Sequence, residues 1–137
     1  MKRYVVARTA DLPVGERLIV EVNGKSIGIF NVDGTLHALL NRCPHQGAEL
    51  CKGIVIGGLS ADVPGEFRFE PGRHLLVCPW HGWEFDLADG RSYFDPKRTR
   101  VRAYAAERET GAELVAGPYV AEKIAVSAEA DYVVVRM

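Results

Sequence analysis

The sequence predicts an all-β protein built from small antiparallel sheets. Short runs of alternating or continuous apolar residues, rich in Val and Ile, recur along the 137 residues and are typical of strands. Asn23-Gly24 and Asp33-Gly34 separate the first of these runs. Both dipeptides favour tight hairpin turns, because the two central residues of such a turn need positive φ. No segment shows a sustained helical period, and the chain has no internal repeat.

The predicted strands follow one another from the N-terminus. Met1–Arg8 is basic and runs straight into a short strand without an apolar signal-peptide core. Three hairpin-connected strands come next, at Arg17–Val22, Ser26–Val32 and Thr35–Asn41. Later strands are predicted at Leu75–Val77, Glu84–Leu87, Val101–Glu107, Glu113–Ala116, Tyr119–Val126 and Tyr132–Arg136. Turns at Asp89-Gly90, Thr110-Gly111 and Gly117-Pro118 separate them.

Two short clusters of metal-binding residue types carry the chemistry, Cys43-Pro44-His45 and Cys78-Pro79-Trp80-His81. They supply two thiolates and two imidazoles from two loops, a set that suits a [2Fe–2S] centre in which two His replace two Cys on one iron. A Cys-x-His turn cannot easily place both side chains on one iron, but it can give one ligand to each of two neighbouring irons. The candidate ligands are Cys43, His45, Cys78 and His81.

Two other interpretations of these residues stay open on the ligand types alone. A structural zinc ion also accepts two Cys and two His, although zinc modules usually take the Cys pair from one knuckle and the His pair from a helix. Here each loop carries one of each. A Cys43–Cys78 disulfide is disfavoured by the count of three Cys and by the His beside each of the two. Cys51, the third, is predicted to be a small buried or half-buried thiol.

The residues around the ligands resemble those of the Rieske [2Fe–2S] domain. The first loop is C-P-H-Q-G-A-E-L from Cys43, and the second is C-P-W-H-G-W-E-F-D from Cys78. The resemblance implies a fold of small antiparallel sheets with a two-loop cluster-binding part. It also implies that His45 and His81 bind one iron, whereas the two Cys bind the other.

Four positions set this chain apart from some members of that family. Rieske proteins of respiratory complexes carry an extra Cys in each loop, but Ala48 and Trp80 stand at those positions here. The resemblance is therefore to the soluble ferredoxin and oxygenase-type branch. High-potential relatives also donate Ser and Tyr hydroxyl groups to the cluster sulfurs, where this chain has Trp83 and Phe85. A potential at the low end of the Rieske range, roughly −150 to +300 mV, is predicted.

The segment between the two loops is longer than the resemblance implies, with 32 residues from Gln46 to Val77. The excess falls at about 60–73, where Pro64-Gly65 and Pro71-Gly72 bracket a predicted strand at Glu66–Glu70, and we interpret it as an inserted hairpin arm. The arm is either a surface elaboration or a contact for a partner. We predict a single domain, 1–137, with a cluster-binding part at about 42–96. Phe94-Asp95-Pro96 stands where the family carries a proline-containing loop that covers the cluster.

The remaining His and Trp residues are predicted to have structural roles. His37 lies in an alternating run and is expected to be an ordinary sheet residue. His74 follows Pro71-Gly72-Arg73 and is expected to be a surface residue beside a turn. Trp80 and Trp83 are expected to pack around the cluster and shield it from water.

Length and composition narrow the function. A chain of 137 residues without a His after His81 cannot hold the separate mononuclear-iron domain of a Rieske oxygenase. The net charge of −1 implies no attraction to nucleic acid, and no apolar run is long enough to span a membrane. We predict a cytoplasmic one-electron carrier, a monomer or weak oligomer. It would not be an enzyme alone, but a ferredoxin that takes electrons from a flavin reductase and passes them to a terminal oxygenase. The alternative is the small Rieske subunit of a larger reductase, similar to that of assimilatory nitrite reductases.

Overall fold

The computed structural model describes residues 1–60, 68–80, 82–92 and 99–137. They form two compact units. The first unit contains residues 1–40 and 104–137, and the second unit contains residues 41–103. The predicted cluster-binding part, about 42–96, falls within the bounds of the second unit. The division of the whole chain into one functional domain stays a prediction.

The described residues are nearly all β, as predicted. The strands are β1 (Arg3–Arg8), β2 (Arg17–Val22), β3 (Lys25–Val32), β4 (Thr35–Leu40), β5 (Ile54–Ser60), β6 (Arg68–Val77), β7 (Glu84–Asp86), β8 (Ala103–Thr110) and β9 (Asp131–Arg136). The helical segments are a four-residue α1 (Gly111–Leu114) and 3₁₀ turns at Thr9–Asp11 and Leu50–Lys52. In this described part of the chain, no helix is long and apolar enough to cross a membrane.

The first unit contains a six-stranded sheet in the order β1-β9-β8-β4-β3-β2. Its β2–β3 and β3–β4 hairpins turn at the two predicted dipeptides, with φ of 51° and 74° at Asn23 and Gly24, and 52° and 90° at Asp33 and Gly34. Alternate residues of these strands face one core, because side chains on a strand point to opposite faces in turn. That core includes Val22, Ile27, Ile29, Val133 and Val135.

The second unit contains a three-stranded antiparallel sheet in the order β5-β6-β7. Near the ligand loops, Ile54 pairs with Val77, and Leu76 pairs with both Val55 and Phe85. The β5–β6 ladder shifts register after Gly57 pairs with His74, since the next residue of β5 pairs with Glu70. The strands continue past this bulge to the pair of Ser60 with Arg68.

The long segment between the two ligand loops thus contains an extended pair of antiparallel strands, β5 and β6, where the arm was predicted. Pro71-Gly72 was expected to end a strand, but β6 runs through it and the bulge takes up the extra residues. Residues 61–67, which include part of the predicted strand Glu66–Glu70, lie outside the described residues. His74 was predicted to flank a turn; it lies instead within β6, half-buried.

Two predicted strands near the C-terminus are wrong. At Glu113–Ala116 the chain forms α1, because the Thr110 hydroxyl accepts a hydrogen bond from the Glu113 N–H and caps the helix. At Tyr119–Val126 the apolar residues pack without a ladder. Only Val120 forms a bridge there, to β1, and Ile124 and Val126 pack against a small core around Tyr132.

Candidate metal centre

The first ligand loop lies between β4 and β5, and two backbone hydrogen bonds close it into a compact turn. The N–H of Cys43 donates to the Ala48 carbonyl over 2.8 Å, and the N–H of Gly47 donates back to the Cys43 carbonyl over 2.8 Å. Gly47 has φ of +78°, a conformation that favours glycine. The turn leaves His45 exposed, while Cys43 and Ala48 are buried.

The second loop, between β6 and β7, repeats this hydrogen-bond pattern. The N–H of Cys78 donates to the Trp83 carbonyl over 2.7 Å, and the N–H of Gly82 donates to the Cys78 carbonyl over 3.0 Å. Gly82 has φ of +72°, close to that of Gly47. Each candidate Cys therefore begins a turn of the same design. His81 lies outside the described residues.

Gly53 brings the two loops together. It links the 3₁₀ turn Leu50–Lys52 to β5, and its backbone passes so close to β6 that a Cβ would lie 1.8 Å from the Val77 carbonyl oxygen. Only glycine fits such an approach. Since Val77 directly precedes Cys78, the end of the first loop is held against the start of the second.

The two candidate thiols are buried side by side. Cys43 is 1% exposed and Cys78 is 2% exposed. Burial raises the pKa of the Cys43 thiol. Hydrogen bonds from the backbone N–H groups of His45 and Gln46 oppose this rise, and contact with the Cys78 thiol adds to it. A bound metal supplies the positive charge that stabilises a buried thiolate.

The imidazole of His45 stacks on the indole of Trp83. The ring centroids lie 4.4 Å apart, and the ring planes are inclined by 16°. Trp83 is half-buried, so it packs at the site as predicted. The same prediction is wrong for Trp80, which is 60% exposed.

The other predicted residues have structural positions. Cys51 is fully buried, as expected, and its N–H donates to the Asn41 side-chain oxygen over 2.8 Å. His37 lies in β4 opposite Phe30, as an ordinary sheet residue. Phe94-Asp95-Pro96 lies outside the described residues, so the predicted cover over the site stays a prediction.

The residues present fit the two-thiolate iron of a [2Fe–2S] centre. The two thiols are buried in contact with each other, and the backbone N–H groups of His45 and Gln46 donate to the Cys43 sulfur. Among the described residues, which leave out His81, no three His, Cys, Asp or Glu converge on one metal position. Neither the Gly53 contact nor the His45–Trp83 stack was predicted from the sequence, although Gly53 directly before an apolar run was a signal for a close approach.

Comparison with known proteins decides the family. The family model for the Rieske [2Fe-2S] domain matches residues 2–105. The chain belongs to the Rieske family. A ferredoxin component of naphthalene 1,2-dioxygenase/salicylate 5-hydroxylase systems from Ralstonia is 29% identical over 99 residues, which cover 72% of this chain and 80% of the relative. A corresponding naphthalene dioxygenase ferredoxin from Pseudomonas aeruginosa is 28% identical over the same length.

Solved structures agree with this assignment. The small subunit assigned to an NADH-dependent nitrite reductase of Mycobacterium tuberculosis superposes with a TM-score of 0.64 and is 25% identical; the match covers 98% of this chain and 95% of that one. The ferredoxin of carbazole 1,9a-dioxygenase from Nocardioides aromaticivorans has the same fold, with a TM-score of 0.58 over 97% of each chain. As a Rieske protein, the chain carries a [2Fe–2S] cluster and acts as a one-electron carrier.

Proposed function

We propose that Cys43 and Cys78 bind one iron of the cluster, whereas His45 and His81 bind the other. The observation that carries this proposal is the contact of two buried thiols, each at the start of a turn with the same hydrogen-bond pattern. When bound, the cluster accepts and donates one electron. The chain itself buries the sulfur ligands, directs N–H groups at Cys43 and leaves His45 at the surface.

Substitution of each ligand tests this assignment. The wild-type protein should contain two iron and two acid-labile sulfide per chain, and its dithionite-reduced form should give a rhombic electron-paramagnetic-resonance signal. Cys43→Ser, His45→Ala, Cys78→Ser and His81→Ala should each lose the colour and the signal. Cys51→Ser and His37→Asn, matched thiol and imidazole controls, should retain both. A colourless wild type with one zinc per chain, or a Cys51→Ser protein without the cluster, would contradict the assignment.

We propose further that the protein is the ferredoxin of an oxygenase system. It would take electrons from a flavin reductase and pass them to a terminal oxygenase. The similarity to two dioxygenase ferredoxins over about four-fifths of their length supports this role. A cytoplasmic location is proposed with it, since the three cysteines form no disulfide and so suit a reducing compartment.

A second candidate is a small subunit held in a larger reductase. The match to the Mycobacterium tuberculosis small subunit favours it, because that match spans nearly the whole of both chains, including the region after residue 105. The two roles differ in the lifetime of the complex with the partner, which purification can measure.

A further inference from the structure

We propose that Trp83 is a positioning residue that fixes the plane of the His45 imidazole and covers one of its faces. The inference rests on the proposed ligand role of His45. It starts from the stacked contact, whose 4.4 Å centroid separation and 16° inclination place the indole directly against the imidazole. The two residues come from different loops, so this contact is also a side-chain link between the loops.

Trp83 is the rigid partner in this pair. Its carbonyl accepts the Cys78 N–H over 2.7 Å. The next residues, Glu84 and Phe85, pair with β6, and Phe85 is completely buried. Its backbone is therefore fixed on both sides of the indole.

His45 is the exposed partner. It lies in the exposed part of the first loop, where the terminal torsion of an imidazole has a broad range. A metal-bound ring must hold one orientation, and holding an exposed side chain still costs conformational entropy. Stacking on a fixed indole restricts the ring before any metal binds. The contact should slow the loss of metal and narrow the range of ligand geometries.

The stack also limits the access of water to the His45 imidazole. An indole against one face of the imidazole keeps water from that face. Reduction adds negative charge to the centre, and water stabilises that charge. Removing the indole should therefore raise the midpoint potential.

The experiment compares Trp83→Leu with Trp83→Phe in the cluster-loaded protein. Leu keeps apolar bulk but cannot stack, whereas Phe retains a ring. For Trp83→Leu we expect a broadened rhombic resonance signal, a higher midpoint potential and cluster loss to a chelator that is about two- to tenfold faster. Trp83→Phe should stay close to the wild type in all three measurements. If Trp83→Leu does not take up the cluster, Trp83→Met replaces it.

Trp80→Leu is the matched control, since it changes the same residue type in the same loop at a position that is 60% exposed. It should leave all three measurements unchanged. The inference is overturned if Trp83→Leu matches the wild type, if Trp83→Phe behaves like Trp83→Leu, or if Trp80→Leu has an equal effect. Failure of the proposed function is distinguishable, because then the wild type lacks the cluster or His45→Ala retains it.

Discussion

Phe85 is a residue at which one substitution tests the potential of the centre. Its ring is completely buried, and its backbone pairs with Leu76, two residues before Cys78. Neither Phe85 nor Trp83 carries a hydroxyl that could donate to a ligand sulfur. A hydrogen bond to sulfur stabilises the reduced, more negative state, so its absence is the reason to expect a low midpoint potential.

Phe85→Tyr tests this explanation. If the new hydroxyl reaches the sulfur of Cys43 or Cys78, the midpoint potential should rise by roughly tens of millivolts within the range of these centres. Phe30→Tyr, which adds a hydroxyl to a buried Phe of the first unit, should leave the potential unchanged. A less stable Phe85→Tyr protein with an unchanged potential would mean that the hydroxyl is buried without a partner. A wild-type midpoint well above zero at neutral pH would contradict the low-potential prediction itself.

At the scale of elements, the sequence predicted the features that depend on neighbouring residues. It did not predict the contacts between distant segments. The hairpin dipeptides gave β2, β3 and β4 to within one residue, because positive φ is a local requirement. The strand β5 was missed because Gly57-Gly58 interrupts its apolar pattern. The error at Tyr119–Val126 has a different cause, since packing around Tyr132 satisfies that segment without a ladder. The candidate ligands were likewise predicted from the sequence. The stacking of Trp83 on His45 was not, because it depends on how the two loops meet.

The outer part of the β5–β6 hairpin is an element that the cluster should not need. Among the residues that the structure describes, the two strands pair only with each other beyond the pair of Gly57 with His74, because β7 pairs with Leu75–Val77. Replacing residues 58–73 with Asn-Gly should give a tight hairpin and leave the iron and sulfide content unchanged. Elemental analysis and the visible spectrum measure this. Cluster loss in the shortened protein would show that the outer strands belong to the core.

The same variant decides what the outer hairpin does. If it contacts a redox partner, reduction by that partner should slow while the spectrum stays the same. If the rate is also unchanged, the hairpin is a surface elaboration. Stopped-flow reduction by the native reductase, compared with reduction by dithionite, separates these outcomes, because dithionite needs no docking surface.

At the scale of the whole molecule, the two proposed roles require different surfaces. A transient carrier uses a small, largely polar interface, whereas a permanent subunit buries a larger apolar one. The exposed large apolar residues of the described chain are spread over both units, and they include Val14, Ile54, Trp80 and Val115. The net charge of −1 gives no strong overall attraction to a partner. These features favour a transient complex with a redox partner, formed through a small part of the protein surface.

Purification from the native host should therefore yield the protein free of a stoichiometric partner. We expect a tagged protein to retain small amounts of a flavin reductase or an oxygenase at low ionic strength. Both should be lost near 1 M salt, where screening shortens the reach of charge interactions to about 3 Å. Mass spectrometry of the eluate, with gel filtration to measure its size, checks this. Untagged lysate on the same resin is the control for background binding. A large reductase that remains at one-to-one stoichiometry through the high-salt wash would contradict the carrier role and establish the permanent-subunit alternative, because an apolar interface is not weakened by salt.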